Sequence, residues 1–505
     1  MWKRLILAAI CLNSVFVHAQ LEGHNWVFWD SVGLSFVDGD PEIFHTTGLD
    51  PGNFVSVSDS LGVLQFITNG KYAWNGVFDL VEDSIDQGLF LDDGYQHYSS
   101  FLALPISDYV YIVYLYYNIF IISDIGIRSA IYKDNELLSI DSVLSVYTSN
   151  GGFTPIYNLR AVRHGNGKDW WLVTFGFFNI TDPPYQIEVG EPFVYSTNLL
   201  LEGDFTSIEY HSSYSYYRGE QNYHELLGPF EFNPAGDKFF KAAGKHGFLY
   251  QFDRCTGDIW LLDSLIGIDS ILTTQVAFSP DGSKLYLTTY TSYSGLGLPF
   301  SNSSILQYCL DCGVDIESTK DTIYQFTNNK YTFVGMKLGP DGKIYLTTHK
   351  LDLAEDDPLP DYQTHFWVIN HPDSLGAACD LDTASISSGG LNLASSFPNI
   401  PNYQLGPWRG SPCDTLEEFN AVDEVSMLPF KAYPNPVQDY LYIDNPLQTT
   451  CQAVVYNAMG QEVKRFIVQP GGQTLSSTTW PTGIYQLIVQ QENEILWRQS
   501  VVKPE

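Results

Sequence analysis

Short runs in which apolar and polar residues alternate recur along almost the whole chain, each bounded by Gly, Pro, Asn or Asp. Leu285-Tyr286-Leu287-Thr288, Ile344-Tyr345-Leu346-Thr347 and Gly247-Phe248-Leu249-Tyr250-Gln251-Phe252 are of this kind. A period of two puts successive side chains on opposite faces and predicts strands. No long run of apolar residues follows helical spacing. Outside the leading segment the longest apolar run is Val110 to Ile122. It is well short of the roughly 20 residues a membrane helix needs, and its Tyr-rich alternation predicts a buried strand. The chain is expected to be all-β, with no membrane span.

The strands are organised by a repeated turn. Phe232-Asn233-Pro234-Ala235-Gly236-Asp237-Lys238, Phe278-Ser279-Pro280-Asp281-Gly282-Ser283-Lys284 and Leu338-Gly339-Pro340-Asp341-Gly342-Lys343 each stand between two alternating runs, with a third run further on. Pro presets φ for a turn and Gly supplies positive φ, so each segment reads as a hairpin. The three prolines are spaced by 46 and then 60 positions. Four-stranded propeller blades repeat at roughly 40–50 residues, so the second step implies a loop insertion. Asn166-Gly167-Lys168 before Trp170-Trp171-Leu172-Val173, and Ser58-Asp59-Ser60-Leu61-Gly62 before Val63-Leu64-Gln65-Phe66, add two more hairpins. Five such units predict a β-propeller of six to eight blades, with seven favoured.

Composition agrees with strands: 44% of the 505 residues are hydrophobic and 15% aromatic, including 33 Tyr and 31 Phe. Charge changes the picture more. The formal net charge is −33. From Lys431 on there are five basic and six acidic residues, so the acidity sits in the central part, with 18 basic against 52 acidic side chains. Such a surface repels nucleic acid and keeps an exported protein soluble.

The two ends differ from the middle. Lys3 and Arg4, the apolar stretch Leu5 to Val17, and Val17-His18-Ala19 have the layout of a secretory signal peptide over residues 1–19, leaving a mature chain from Gln20. Residues 416–429 are acidic and lack alternation, a linker. From 430 to 505 about five short strands in about 75 residues predict a small β-sandwich.

Asn25-Trp26-Val27-Phe28, Gly33-Leu34-Ser35-Phe36, Tyr72-Ala73-Trp74-Asn75, Arg163-His164-Gly165-Asn166-Gly167-Lys168-Asp169-Trp170-Trp171, and the close at Phe397-Pro398-Asn399, Tyr403-Gln404-Leu405-Gly406 and Ser411-Pro412-Cys413-Asp414 resemble propeller proteins exported by Bacteroidetes bacteria. That resemblance covers most of residues 20–415 and brings no activity with it. The C-terminal block resembles the type A sorting domain of the type IX secretion system. Tyr433, Pro434, Asn435 and Pro436 match its aromatic-Pro-Asn-Pro opening. Gly460 matches the next turn, where Asn457 stands in place of the usual Asp. Gly483 and Tyr485 follow Trp480 in place of Leu, and Lys503 is the basic residue near the end. The resemblance implies type IX machinery as a partner. The chain would reach the periplasm through its signal peptide and then be secreted or held at the outer surface.

Six cysteines lie beyond the signal: Cys255, Cys309, Cys312, Cys379, Cys413 and Cys451. In an exported protein they predict disulfides. The last strand of a closed propeller must be fastened, so Cys379 is expected to pair with Cys413, leaving Cys255 for Cys309 or Cys312. Cys309-Leu310-Asp311-Cys312 lacks the second ligand pair of a zinc site.

Nothing in the sequence names a catalytic residue. There is no Gly-x-Ser-x-Gly elbow, His-Glu-x-x-His, phosphate loop or dinucleotide fingerprint. His164 and Asp169 flank a hairpin tip, and Asp281 and Asp341 serve turns. Asp59-Ser60-Leu61, Asp141-Ser142-Val143 and Asp373-Ser374-Leu375 resemble O-glycosylation acceptors and equally fit strand ends. Two functions from different classes follow. In the first, the propeller is a non-catalytic binding module for a glycan or protein, using aromatic faces and no cofactor. In the second, it is a secreted metal-assisted hydrolase or lyase, with carboxylates holding calcium in the channel. Propellers host both.

Overall fold

The computed structural model describes residues 21–504 apart from 29–31, 50–53, 70–71, 83–100, 107–108, 118–124, 134–135, 148–152, 179–192, 201–208, 215–227, 244–245, 267–270, 292–300, 327–329, 351–359, 394–396, 415–429, 458–461 and 492–493. The signal-peptide segment, the 416–429 linker and Gly460 therefore lie outside the described residues. The chain divides into two compact units, Met1–Thr415 and Leu416–Glu505.

The first unit contains seven antiparallel sheets in chain order, one of three strands and six of four. They span residues 25–45, 55–82, 101–147, 153–214, 230–266, 271–325 and 331–387, and form blades 1 to 7. Each is an up-and-down meander whose strands pair only with their chain neighbours. The first strands are Asn25–Phe28, Val55–Ser58, Phe101–Ile106, Phe153–Arg163, Phe230–Phe232, Ile271–Phe278 and Tyr331–Leu338. Each neighbours the first strand of the next blade, and the last blade returns to the first. Trp26 of blade 1 stands edge-on to Tyr345 of blade 7 at 5.9 Å, and Phe28 lies 5.2 Å from Phe366. The result is a propeller-like ring with the favoured number of blades.

The ring closes by packing. Phe397, just beyond blade 7, sits 5.4 Å from Trp26 and 5.3 Å from Phe28. Edge-on aromatic pairs of this kind contribute about 0.5–1.5 kcal/mol each beyond the area they bury. Among the described residues no late strand adds to the three of blade 1.

The five hairpins expected from the sequence share one turn. Gly62, Gly167, Gly236, Gly282 and Gly342 all have φ between 68° and 82°. Each donates its backbone N–H to the carbonyl three residues earlier, at 2.9–3.0 Å. All five turns join the first strand of a blade to the second, so the repeat in the sequence is a repeat in the ring.

The second unit is a two-sheet β domain. Lys431–Tyr433, Tyr440–Asp444 and Gln473–Ser476 form one sheet; Glu462–Val468, Cys451–Asn457, Gly483–Gln491 and Glu494–Lys503 form the other. Leu441, Ile443, Val455, Leu487, Val489 and Val501 alternate inward along these strands and are fully buried.

The disulfides correct the sequence reading. Cys413 pairs with Cys255, not Cys379, across 158 residues with Cα atoms 5.3 Å apart. Cys309 pairs with Cys312. Cys379 is a buried free thiol in the short 3-10 turn Gly376–Cys379 of blade 7, and Cys451 is free and buried in the second unit. The physical reason is the path of the chain after blade 7: it leaves its own blade, so its last cysteine meets a different one.

Candidate functional site

Residues 397–414 run back across one end of the ring. Asn399 donates both amide hydrogens to first-strand carbonyls, Phe101 of blade 3 at 2.9 Å and Leu159 of blade 4 at 3.0 Å. Lys337, on the first strand of blade 7, donates to Ile400 O at 3.0 Å. Buried Tyr403 gives its hydroxyl to Ala103 O of blade 3 at 2.6 Å, and burial pushes that phenol's pKa up. Ile400 and Tyr403 also pack on Gly23, just ahead of blade 1. Five consecutive residues thus reach the first strands of blades 3, 4 and 7 and the lead-in to blade 1, which places them on the ring axis.

Beneath this crossing lies a cavity of about 290 Å³. Its walls come from the first strands of blades 1, 4, 5, 6 and 7 and from residues 400–405. Phe232, Phe278 and Leu405 supply apolar wall. The charged lining is Arg160, Glu231 and Lys337. Arg160 Nε lies 3.5 Å from Glu231 Oε2. Burial holds the Lys337 ammonium below its ordinary range; Glu231 offsets part of this and Arg160 adds to it. Lys241 lies behind, 2% exposed, with its amine on Gly228 O. Burial and the Arg160 charge lower it to about 7. His24 also lines the cavity, lowered by burial.

A calcium ion needs six to eight oxygen ligands. Glu231 is the one carboxylate on the described wall, and it is already paired with a guanidinium. The donor set does not fit the metal. Cys309, Asp311 and Cys312 come close enough for a metal cluster, but the two sulfurs are bonded to each other and offer no thiolate.

The crossing segment is locked over blades 4 and 5 by the Arg163–Trp171 stretch. Arg254, 5% exposed, sends its guanidinium to four carbonyls: Arg163 at 2.8 Å, Gly406 at 2.6 Å, and His164 and Ala235 at 3.4 Å. Burial lowers its pKa to about 10, with Asp237 opposing. A backbone bond from Trp408 to Gly165 O at 2.8 Å and the Cys255–Cys413 disulfide complete the lock. A Cβ on Gly165 would fall 2.3 Å from Cys413 Sγ, so only glycine fits there. His164 is part of the same structure. Its Nδ1 accepts from Asn166 N at 3.1 Å, which fixes the proton on Nε2, donated to Cys255 O at 3.0 Å. Asp169 accepts from Asn166 Nδ2 at 2.5 Å. Neither group is poised for acid–base chemistry; both hold the hairpin tip.

The other turn carboxylates are similarly occupied. Asp59 Oδ1 accepts the backbone N–H groups of Leu61 and Val63, both at 2.9 Å. Asp281 Oδ1 takes Ser279 and Ser283, and Asp341 Oδ2 takes Tyr345 OH at 2.7 Å.

In the second unit the predicted motif residues converge although about 65 positions separate them. Asn435 Oδ1 accepts Val502 N at 2.9 Å, Val437 N donates to Val502 O at 2.8 Å, and Lys503 donates to Gln438 O. The Pro-Asn-Pro opening therefore clasps the last strand. Tyr433 is half exposed and lies 5.2 Å from Tyr442. Buried Tyr485 packs on Trp480 at 4.7 Å and bonds Pro481 O at 2.7 Å.

Residues 431–503 match the family of secretion system C-terminal sorting domains. That part of the chain is such a domain, of the type IX system, and it directs export to the cell surface or secretion. No curated protein matches the chain. Similar solved structures include a candidate 6-phosphogluconolactonase of Bacteroides fragilis, with 10% identity, TM-score 0.30, and 65% of this chain and 94% of that one covered. An exo-β-1,3-galactanase of Phanerochaete chrysosporium has 8% identity, TM-score 0.32, and coverage of 81% and 95%. Hydrazine synthase of Kuenenia stuttgartiensis has 12% identity, TM-score 0.35, and coverage of 72% and 86%.

Proposed function

We infer that this is an exported protein whose propeller unit is a non-catalytic binding module for a glycan or protein, delivered by a signal peptide and the type IX machinery. The observation carrying this reading is the axial cavity. Its wall combines apolar faces with two cations and one already paired carboxylate, a lining that grips a ligand but presents no nucleophile beside a general base. A second feature points the same way. Trp260, Leu261 and Leu262, in succession on the outer strand of blade 5, are each 44–47% exposed, and large apolar side chains left in solvent on an edge strand offer a place for a partner to pair. The test is an array of immobilised polysaccharides and surface proteins probed with protein isolated from culture medium, run beside lactone, ester and glycoside turnover assays with and without chelator. Retention on at least one ligand, unaffected by chelator and without turnover, is the expected result. Chelator-sensitive turnover would replace this reading with the metal-assisted hydrolase.

A further inference from the structure

Positive charge is concentrated at the axis of a strongly acidic chain. The central part of the sequence has 18 basic against 52 acidic residues, yet Arg160 and Lys337 line the same small cavity. Arg160 uses Nη1 on Leu159 O at 3.2 Å and turns Nε toward Glu231, while Lys337 uses one proton on Ile400 O. The Arg160 guanidinium also lies over the Phe230 ring, 5.6 Å from its centroid, but its remaining N–H edge and two ammonium protons of Lys337 meet no further hydrogen-bond acceptor among the described residues. Two like charges held together away from bulk water are unfavourable unless an anion joins them. Arg160 raises the cost of the Lys337 charge, and Glu231, which also pairs with Arg160, offsets only part of it.

Resting on the binding reading above, the geometry points to a site for the carboxylate of a uronic-acid-type sugar, seated between Arg160 and Lys337 in the axial cavity. A planar carboxylate matches the guanidinium edge, and the ammonium adds a point charge from the opposite wall. Phe232, Phe278 and Leu405 give the apolar face that a sugar ring needs. At about 290 Å³ the cavity is at the lower end of small-molecule pockets, which begin at roughly 300 Å³, and holds one ring rather than a chain. Entry is from the side of Pro340, Asn402 and Gln404, which line the cavity and are exposed to solvent. The ligand is therefore a terminal acidic residue presented end-on.

Calorimetry on the full chain, with galacturonate, galactose and inorganic phosphate as separate probes, tests this. Galacturonate should bind, and galactose and phosphate should bind at least about tenfold more weakly, since a charge-assisted hydrogen bond is worth about that factor or more. Arg160→Gln and Lys337→Met should each weaken galacturonate by about ten- to a hundredfold. Glu231→Gln should tighten it by releasing Arg160, a change of opposite sign that a folding defect would not produce. Equal binding of galactose, phosphate binding as tight as galacturonate, no galacturonate binding, or indifference to Glu231→Gln and Lys337→Met would each overturn the site. Turnover of a galacturonide with the charge dependence intact would overturn the non-catalytic reading while leaving the site in place.

Discussion

Cys255 and Cys413 stand 158 residues apart in the chain and 5.3 Å apart at their Cα atoms, joined by a disulfide that ties the end of the propeller unit to blade 5. Cys413 is two positions from the boundary of that unit at Thr415. A pull on the chain beyond Cys413 is met by this bond before it reaches the Asn399 and Tyr403 contacts on the axis.

The first prediction follows from that placement. A long closed loop removes much entropy from the unfolded chain, so Cys413→Ser should destabilise the propeller unit by about 2–4 kcal/mol. Cys312→Ser, which opens only a four-residue loop, should cost less. Thermal melts of the two variants check the order, and peptide mapping without reduction should find Cys379 and Cys451 as the free thiols.

Arg254 is the polar counterpart of the disulfide. Replacing it with Met leaves four carbonyl acceptors without their cation, and unsatisfied buried groups cost about 1–3 kcal/mol each when not resolvated. Arg254→Met should lower the melting midpoint in denaturant by an amount equivalent to at least about 2 kcal/mol. Arg254→Lys should recover little of it, because an ammonium cannot span the fork. Recovery by lysine would show that charge, not geometry, holds the segment.

Lys241 gives a pH signature. Its folded-state value, about 7, lies below the ordinary 10.5 because burial and Arg160 disfavour the ammonium. Between those two values the unfolded chain binds more protons, so this group's contribution to stability rises as pH increases from about 7, by at most about 1.4 kcal/mol per unit. Below that window the buried charge costs its full amount. Urea midpoints of the parent and of Lys241→Met should therefore converge as pH is raised from 7 to 10, with the variant relatively more stable at pH 7. Parallel curves would contradict the assignment.

Much of this architecture is legible in the sequence because turn chemistry is local. The glycines at 62, 167, 236, 282 and 342 announce five hairpins, and the structure gives all five positive φ. Blades 1 and 3 are harder to read. Their first and second strands are joined at Trp29-Asp30-Ser31 and Ser107-Asp108, which carry neither Gly nor Pro. The sorting domain is legible for the same reason as the hairpins, since Tyr433-Pro434-Asn435-Pro436 is a short motif with its own contacts. The candidate site is not local. Phe397-Pro398-Asn399 and Tyr403-Gln404-Leu405-Gly406 stand out in the sequence, but no spacing tells that they recross the ring and draw Cys413 to Cys255. Lys337 is the exception: a lone cation in the apolar strand Phe333-Val334-Gly335-Met336-Lys337-Leu338 marks a polar position on an otherwise buried wall.

The central claim is that this chain is carried outward by its C-terminal domain, and the most direct measurement is the intact mass of the protein recovered from the medium or cell surface of a type IX-competent host. The recovered chain should begin at Gln20 and end within residues 416–429, and a version truncated after Thr415 should be retained in the periplasm. Recovery of the truncated version outside the cell in equal amount, or of the full chain only from inside it, would contradict the account.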